Sequence, residues 1–264
     1  RSEARVRPEM ACDWRSQQGP GEKCGLTSSG ALRLPAIDAN ASAMSPTFTI
    51  VVLWLGFAGS HMVMSSLRIR RGLVARLGDG PFLGLYSLVA FAFFVPLVRT
   101  YFAHKHAGPL LWSMAIGTPL RWAIYVGMGV AFILMVAGLL RPSTTSIVPG
   151  DPTPRGAQLL TRHPLFMGLG IFGLLHLIPN GNVADVAFFG GFPVFTVLGC
   201  WHQDRRKLAT GTAELRSFYQ RTPFLPFTGS ESARGIHELG RIVIVGGFVV
   251  TVVLRYFHSA WFGG

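Results

Sequence analysis

Charge is scarce in this sequence. Only 14% of its 264 residues are Asp, Glu, Lys or Arg, while 50% are hydrophobic. An ordinary soluble domain carries about a quarter charged residues. That balance excludes a disordered chain and argues against a soluble enzyme. Cysteine is scarce too: Cys12, Cys24 and Cys200 are the full set. With no Cys-x-x-Cys pair and no Cys-x-x-Cys-His, a disulfide framework, a thiolate metal site and covalently attached haem are excluded. No period-two alternation persists, which excludes a membrane barrel. The 24 Lys+Arg outnumber the 12 Asp+Glu, yet no zinc finger, basic zipper or RNA-binding signature accompanies them. No nucleic-acid partner is expected.

Long apolar runs fill the space that charge leaves. Six are found: 46–67, 81–98, 122–140, 164–179, 183–201 and 240–257. A helix crosses a hydrocarbon core of about 30 Å in about 20 residues. The predicted fold is therefore all-α, a polytopic integral membrane bundle of about six transmembrane helices, with the lipid bilayer as its solvent. The fourth run is the shortest and spans only marginally. Pro179-Asn180-Gly181-Asn182 predicts a tight hairpin between the fourth and fifth helices. Within 203–222, Leu208, Leu215, Phe218 and Tyr219 recur at helical spacing among basic residues, which predicts an interfacial amphipathic helix. The Pro- and Ser/Thr-rich 141–163 stretch reads as an irregular loop.

Residues 1–43 are foreign to the rest. They are polar and lack the apolar core of a secretory signal. They read as a disordered or non-native tail before a membrane domain over 44–264, with Met44 expected as the native start. Loop charge orients the domain. The loops at 68–80, 141–163 and 202–239, together with Arg241, carry 14 basic residues, against 4 at the other end. By the positive-inside rule the first set faces the cytoplasm.

Ionisable groups inside spans are costly and mark function. His61 lies in the first helix and His176 in the fourth, while His163 stands at the membrane edge in Thr161-Arg162-His163-Pro164. Neutral imidazole is a good ligand for iron, so two such histidines can supply both axial positions of a non-covalent haem b. A hydrogen bond across helices explains each histidine equally well. Upright helices put His61 and His176 roughly 10 Å apart in depth, whereas shared axial ligation needs the ring nitrogens about 4 Å apart. His163 is as close in depth to His61 as His176 is, so spacing alone leaves the pair open. Pro164 suits a first helical turn, which would place Arg162 and His163 beside free N–H groups able to hold an anion, such as a propionate or a substrate group. A basic boundary anchor is the alternative.

The chain resembles the NnrU-like membrane proteins, which include plant zeta-carotene isomerase. The resemblance rests on three blocks. The first is Gly59-Ser60-His61 with Arg70, Leu73 to Gly78, Phe82 and Leu85 to Leu88. The second is Thr161 to Pro164 with Gly168, Leu175-His176 and Asn180 to Asn182. The third is Asp204-Arg205-Arg206 with Arg221-Thr222 and Pro226-Phe227. It implies a bacterial inner-membrane protein associated with nitric-oxide and nitrite metabolism in denitrification. From the isomerase it implies haem b with His61 and His176 as ligands, and a hydrophobic substrate such as a carotenoid. Any catalysis would then be redox chemistry or redox-gated double-bond isomerisation. The isomerase has a cysteine three residues before the second histidine, where this chain has Gly173. Arg162 to Gly168 also resembles a cofactor motif of membrane isoprenylcysteine methyltransferases, which implies S-adenosylmethionine instead. Asp204 and Glu214 are poor stand-ins for the paired glutamates of those enzymes.

Overall fold

The computed structural model describes residues 45–142 and 153–263. The tail 1–43 with Cys12 and Cys24, Met44, and residues 143–152 of the Pro-rich stretch lie outside them. The helices in chain order are α1 (Pro46–Ser65), α2 (Leu67–Leu77), α3 (Asp79–Ala103), α4 (Thr118–Leu140), α5 (Ala157–Leu160), α6 (Pro164–Leu177), α7 (Val183–Thr210), α8 (Ala213–Arg221), α9 (Ser232–His237) and α10 (Arg241–Phe262). No strand forms among the described residues, and α1, α3, α4, α7 and α10 are long and apolar enough to cross a bilayer. The sixth apolar segment, α6, has 14 residues, short of the usual span of about 17 or more.

Local chemistry sets the boundaries. Ser45 caps α1 by accepting from the Phe48 N–H at 3.2 Å, and Pro46 fills the first turn. The expected basic loop at 68–80 is largely helical. Extended Ser66 separates α1 from α2, and Gly78, at φ +84°, separates α2 from α3. The single amphipathic helix expected over 203–222 is divided. Its first part continues α7 to Thr210, and α8 restarts where Thr212 accepts from the Leu215 N–H at 3.4 Å. A capping hydroxyl competes with continuation of the helix, and hydrophobic spacing does not register that competition.

The apolar helices pack in the order α3, α1, α7, α6, α4, α10. Trp54 of α1 donates to the Phe188 carbonyl of α7 at 3.1 Å, and His61 lies beside Phe195, so α1 and α7 run parallel. Gly170 of α6 meets Thr196 and Gly173 meets Phe189, so α6 and α7 form the antiparallel hairpin that the turn residues predict. One core joins Ile50, Trp54, Leu97, Tyr101, Phe188, Phe189 and Phe192 of α1, α3 and α7. A second joins Leu134, Ala137, Leu160 and Val243 around α4.

Candidate functional site

α7 is the axis around which the polar side chains gather. Its two buried carboxylates stand at opposite ends of the helix: Asp185 is 0% exposed and Asp204 5%. Burying a carboxylate is unfavourable unless donors surround it, and both are surrounded.

At the basic end, Asp204 accepts from Arg162 Nε at 2.7 Å, His163 Nε2 at 2.8 Å and Tyr219 Oη at 2.8 Å. Arg162 also donates to the Thr222 carbonyl at 2.7 Å, and its guanidinium lies over the Tyr219 ring. This network ties the start of α6 to the end of α7 and to α8. Burial, reinforced by the charge of Asp204, pushes the Tyr219 phenol above its ordinary value. The anion that meets Arg162 and His163 is thus an internal one. Asp204 belongs to an ion-pair network with Arg162 and His163.

At the other end, Asp185 accepts from Tyr101 Oη at 3.0 Å, from the His106 N–H at 3.2 Å and from His106 Nδ1 at 2.9 Å. His106 takes φ 58° to do so, and Asn182 Nδ2 donates to its carbonyl at 2.6 Å. Sequence spacing gave no hint of this cluster, because 79 residues separate His106 from Asp185.

The two intramembrane histidines are set up alike. His61 Nδ1 lies 2.9 Å from the Phe57 carbonyl, and His176 Nδ1 lies 2.9 Å from the Phe172 carbonyl. A carbonyl only accepts, so Nδ1 carries the proton in both rings and Nε2 keeps its lone pair. Both are bedded in aromatics. His61 contacts Phe57, Tyr86 and Phe195. His176 contacts Phe172 and stacks on Phe189 at 4.5 Å.

In donor chemistry the pair fits a haem, since metal-bound histidine commonly donates its other N–H to a carbonyl. In position the two rings stand apart. Phe195 and Phe189 are six residues apart on α7, about 9 Å along the axis. α1 and α6 are antiparallel, and helical side chains lean toward the helix N-terminus, so the rings lean toward each other in depth. Phe192, between Phe189 and Phe195 along α7, has its ring 5.1 Å from Trp54 and 5.7 Å from Phe172. His163, 3% exposed and bonded to Asp204, belongs to the basic-end network. Among the described residues no three His, Cys, Asp or Glu side chains converge as a metal cluster.

Two motif glycines have packing reasons. A Cβ on Gly168 would lie 2.5 Å from the Ala131 carbonyl oxygen. One on Gly173 would lie 2.6 Å from the Phe189 carbonyl oxygen and 2.8 Å from Phe192 Cβ. No side chain, cysteine included, fits at 173 while α6 and α7 pack this closely.

Comparison with known proteins adds three findings. The model of the NnrU protein family matches residues 49–264. The chloroplastic 15-cis-zeta-carotene isomerase of Arabidopsis thaliana is 26% identical over 201 residues, 73% of this chain and 53% of that protein. The Zea mays protein of the same name is 27% identical over 201 residues, 72% of this chain and 53% of its own length. The chain thus spans about half the length of the curated relatives it matches. No solved structure matches it.

Proposed function

The chain belongs to the NnrU protein family, and from that premise we propose that it is a haem b protein of the bacterial inner membrane with His61 and His176 as the iron ligands. The observation that supports this reading is the matched preparation of the two imidazoles. The Phe57 and Phe172 carbonyls hold Nδ1–H, fix each ring and leave Nε2 basic. The surrounding phenylalanines offer an apolar bed. When bound, the haem supplies one-electron redox chemistry and an iron able to exchange an axial ligand. An association with nitric oxide accords with such an iron. Arg162 and His163 are engaged by Asp204 and have a positioning role, holding the start of α6 and with it the register of His176.

A second reading, cis–trans isomerisation of a carotene, is favoured by the two plant relatives, whose names state that activity. It uses the same site and a hydrophobic substrate reaching it from the lipid.

Purification in detergent after haem-replete expression tests the first reading. A Soret band is expected, lost in both His61→Ala and His176→Ala and shifted by nitric oxide. Colourless protein overturns it. Conversion of the 15-cis substrate in a bacterial strain that accumulates it tests the second.

A further inference from the structure

At the basic end of the bundle the Arg206 guanidinium has no matching carboxylate among the described residues. Arg206 of α7 keeps a buried Nε with no hydrogen-bond partner. A guanidinium is charged at every accessible pH, and its Nε–H can only donate. A buried Nε–H of this kind is rarely left unmatched, and the exception calls for an acceptor.

The neighbours increase the positive charge. Arg70 of α2 and Lys207 both lie within electrostatic reach of Arg206, as does the phenol of Tyr86 on α3. The nearby acids are committed elsewhere. Asp204 already accepts from Arg162, His163 and Tyr219. Asp79 meets Arg70 only at 3.9 Å, with its side chain 76% exposed. No carboxylate of the described residues pairs with Arg206.

These side chains gather where α1 and α7 end and α3 begins, on the side that carries most of the chain's basic residues. That is the level of the phosphates of an anionic leaflet. A guanidinium fork matches phosphate oxygens in geometry as well as charge. We propose that Arg206, with Arg70 and Lys207, forms a phosphate-binding site filled by the headgroup of an anionic phospholipid.

Native mass spectrometry of the full chain, released from mixed phosphatidylglycerol and phosphatidylcholine nanodiscs, tests this site. One phosphatidylglycerol is expected to survive delipidation in preference to phosphatidylcholine. Arg206→Gln should lower its retention roughly tenfold, as loss of a charge-assisted pair does, and Lys207→Gln should lower it less. Arg76→Gln removes an exposed charge from α2 and should leave retention intact. Equal losses in Arg76→Gln and Arg206→Gln overturn the site in favour of diffuse attraction, and so does retention without headgroup preference. Inorganic phosphate added to the delipidated protein separates the sources. A thermal shift that disappears in Arg206→Gln, without lipid retention, supports the site with a soluble phosphate as its ligand. Neither retention nor shift overturns it.

Discussion

Gly173 stands so close to the Phe189 carbonyl that a Cβ would lie 2.6 Å from its oxygen. This contact sets the spacing of α6 and α7 and therefore the position of His176. Gly173→Ala should destabilise the protein by about 1–3 kcal/mol, the usual result of overpacking, read as a lower thermal midpoint in detergent. Gly173→Cys should cost at least as much. If the substitution is tolerated without loss, the two helices pack less tightly than described.

Phe192 lies on α7 between Phe189 and Phe195, which contact His176 and His61 respectively. Phe192→Ala should cost about 3–5 kcal/mol in stability, as phenylalanine truncations do, yet speed haem uptake if the cofactor lies where the ring now sits. Stopped-flow addition of hemin, followed in the Soret region, measures this. An unchanged uptake rate would assign the cofactor to another place.

Asp204 joins Arg162, His163 and Tyr219. Asp204→Ala leaves a buried guanidinium without its carboxylate and should destabilise by about 3–5 kcal/mol. Limited proteolysis should show new cleavage around α8. Asp185→Ala should loosen the 104–110 loop in the same way. His106→Ala should be milder, because that imidazole is 57% exposed. Thermal unfolding ranks the three.

Tyr219 gives a pH signature. Burial, then the charge of Asp204, raises its phenol in the folded state. The neutral form is thus favoured by folding. Its contribution is complete below the ordinary tyrosine value of about 10 and declines as pH rises above it. Tyr219→Phe should lose about 1 kcal/mol at neutral pH with its hydrogen bond, and flatten this part of the alkaline decline. Unfolding midpoints between neutral and strongly alkaline pH check both effects.

Much of the fold could be read from the residues. Pro46, Pro164 and the Asn180-Gly181-Asn182 turn mark where helices begin and reverse, and uncharged runs mark the spans. The division at Gly211-Thr212 escaped because a cap is a local hydrogen bond, invisible to hydrophobic spacing. In the site, the depth offset of His61 and His176 follows from counting residues. The partners of Asp185 and Asp204 do not, because tertiary packing brings together His106 and Tyr101 at one end and Tyr219 at the other. Phe192 carries no sequence signal, since one phenylalanine among twenty is distinguished only by what it touches.

The two buried carboxylates of α7 have a consequence for where the molecule can reside. Nineteen positions separate Asp185 from Asp204, about 28 Å of helix, nearly the acyl thickness of an average bilayer. Each is clamped to groups that do not move with lipid, so α7 acts as a fixed gauge. Short-chain lipids would leave greasy surface in water, and long-chain lipids would draw the clamps into oil. The protein should therefore partition into membranes of matching thickness.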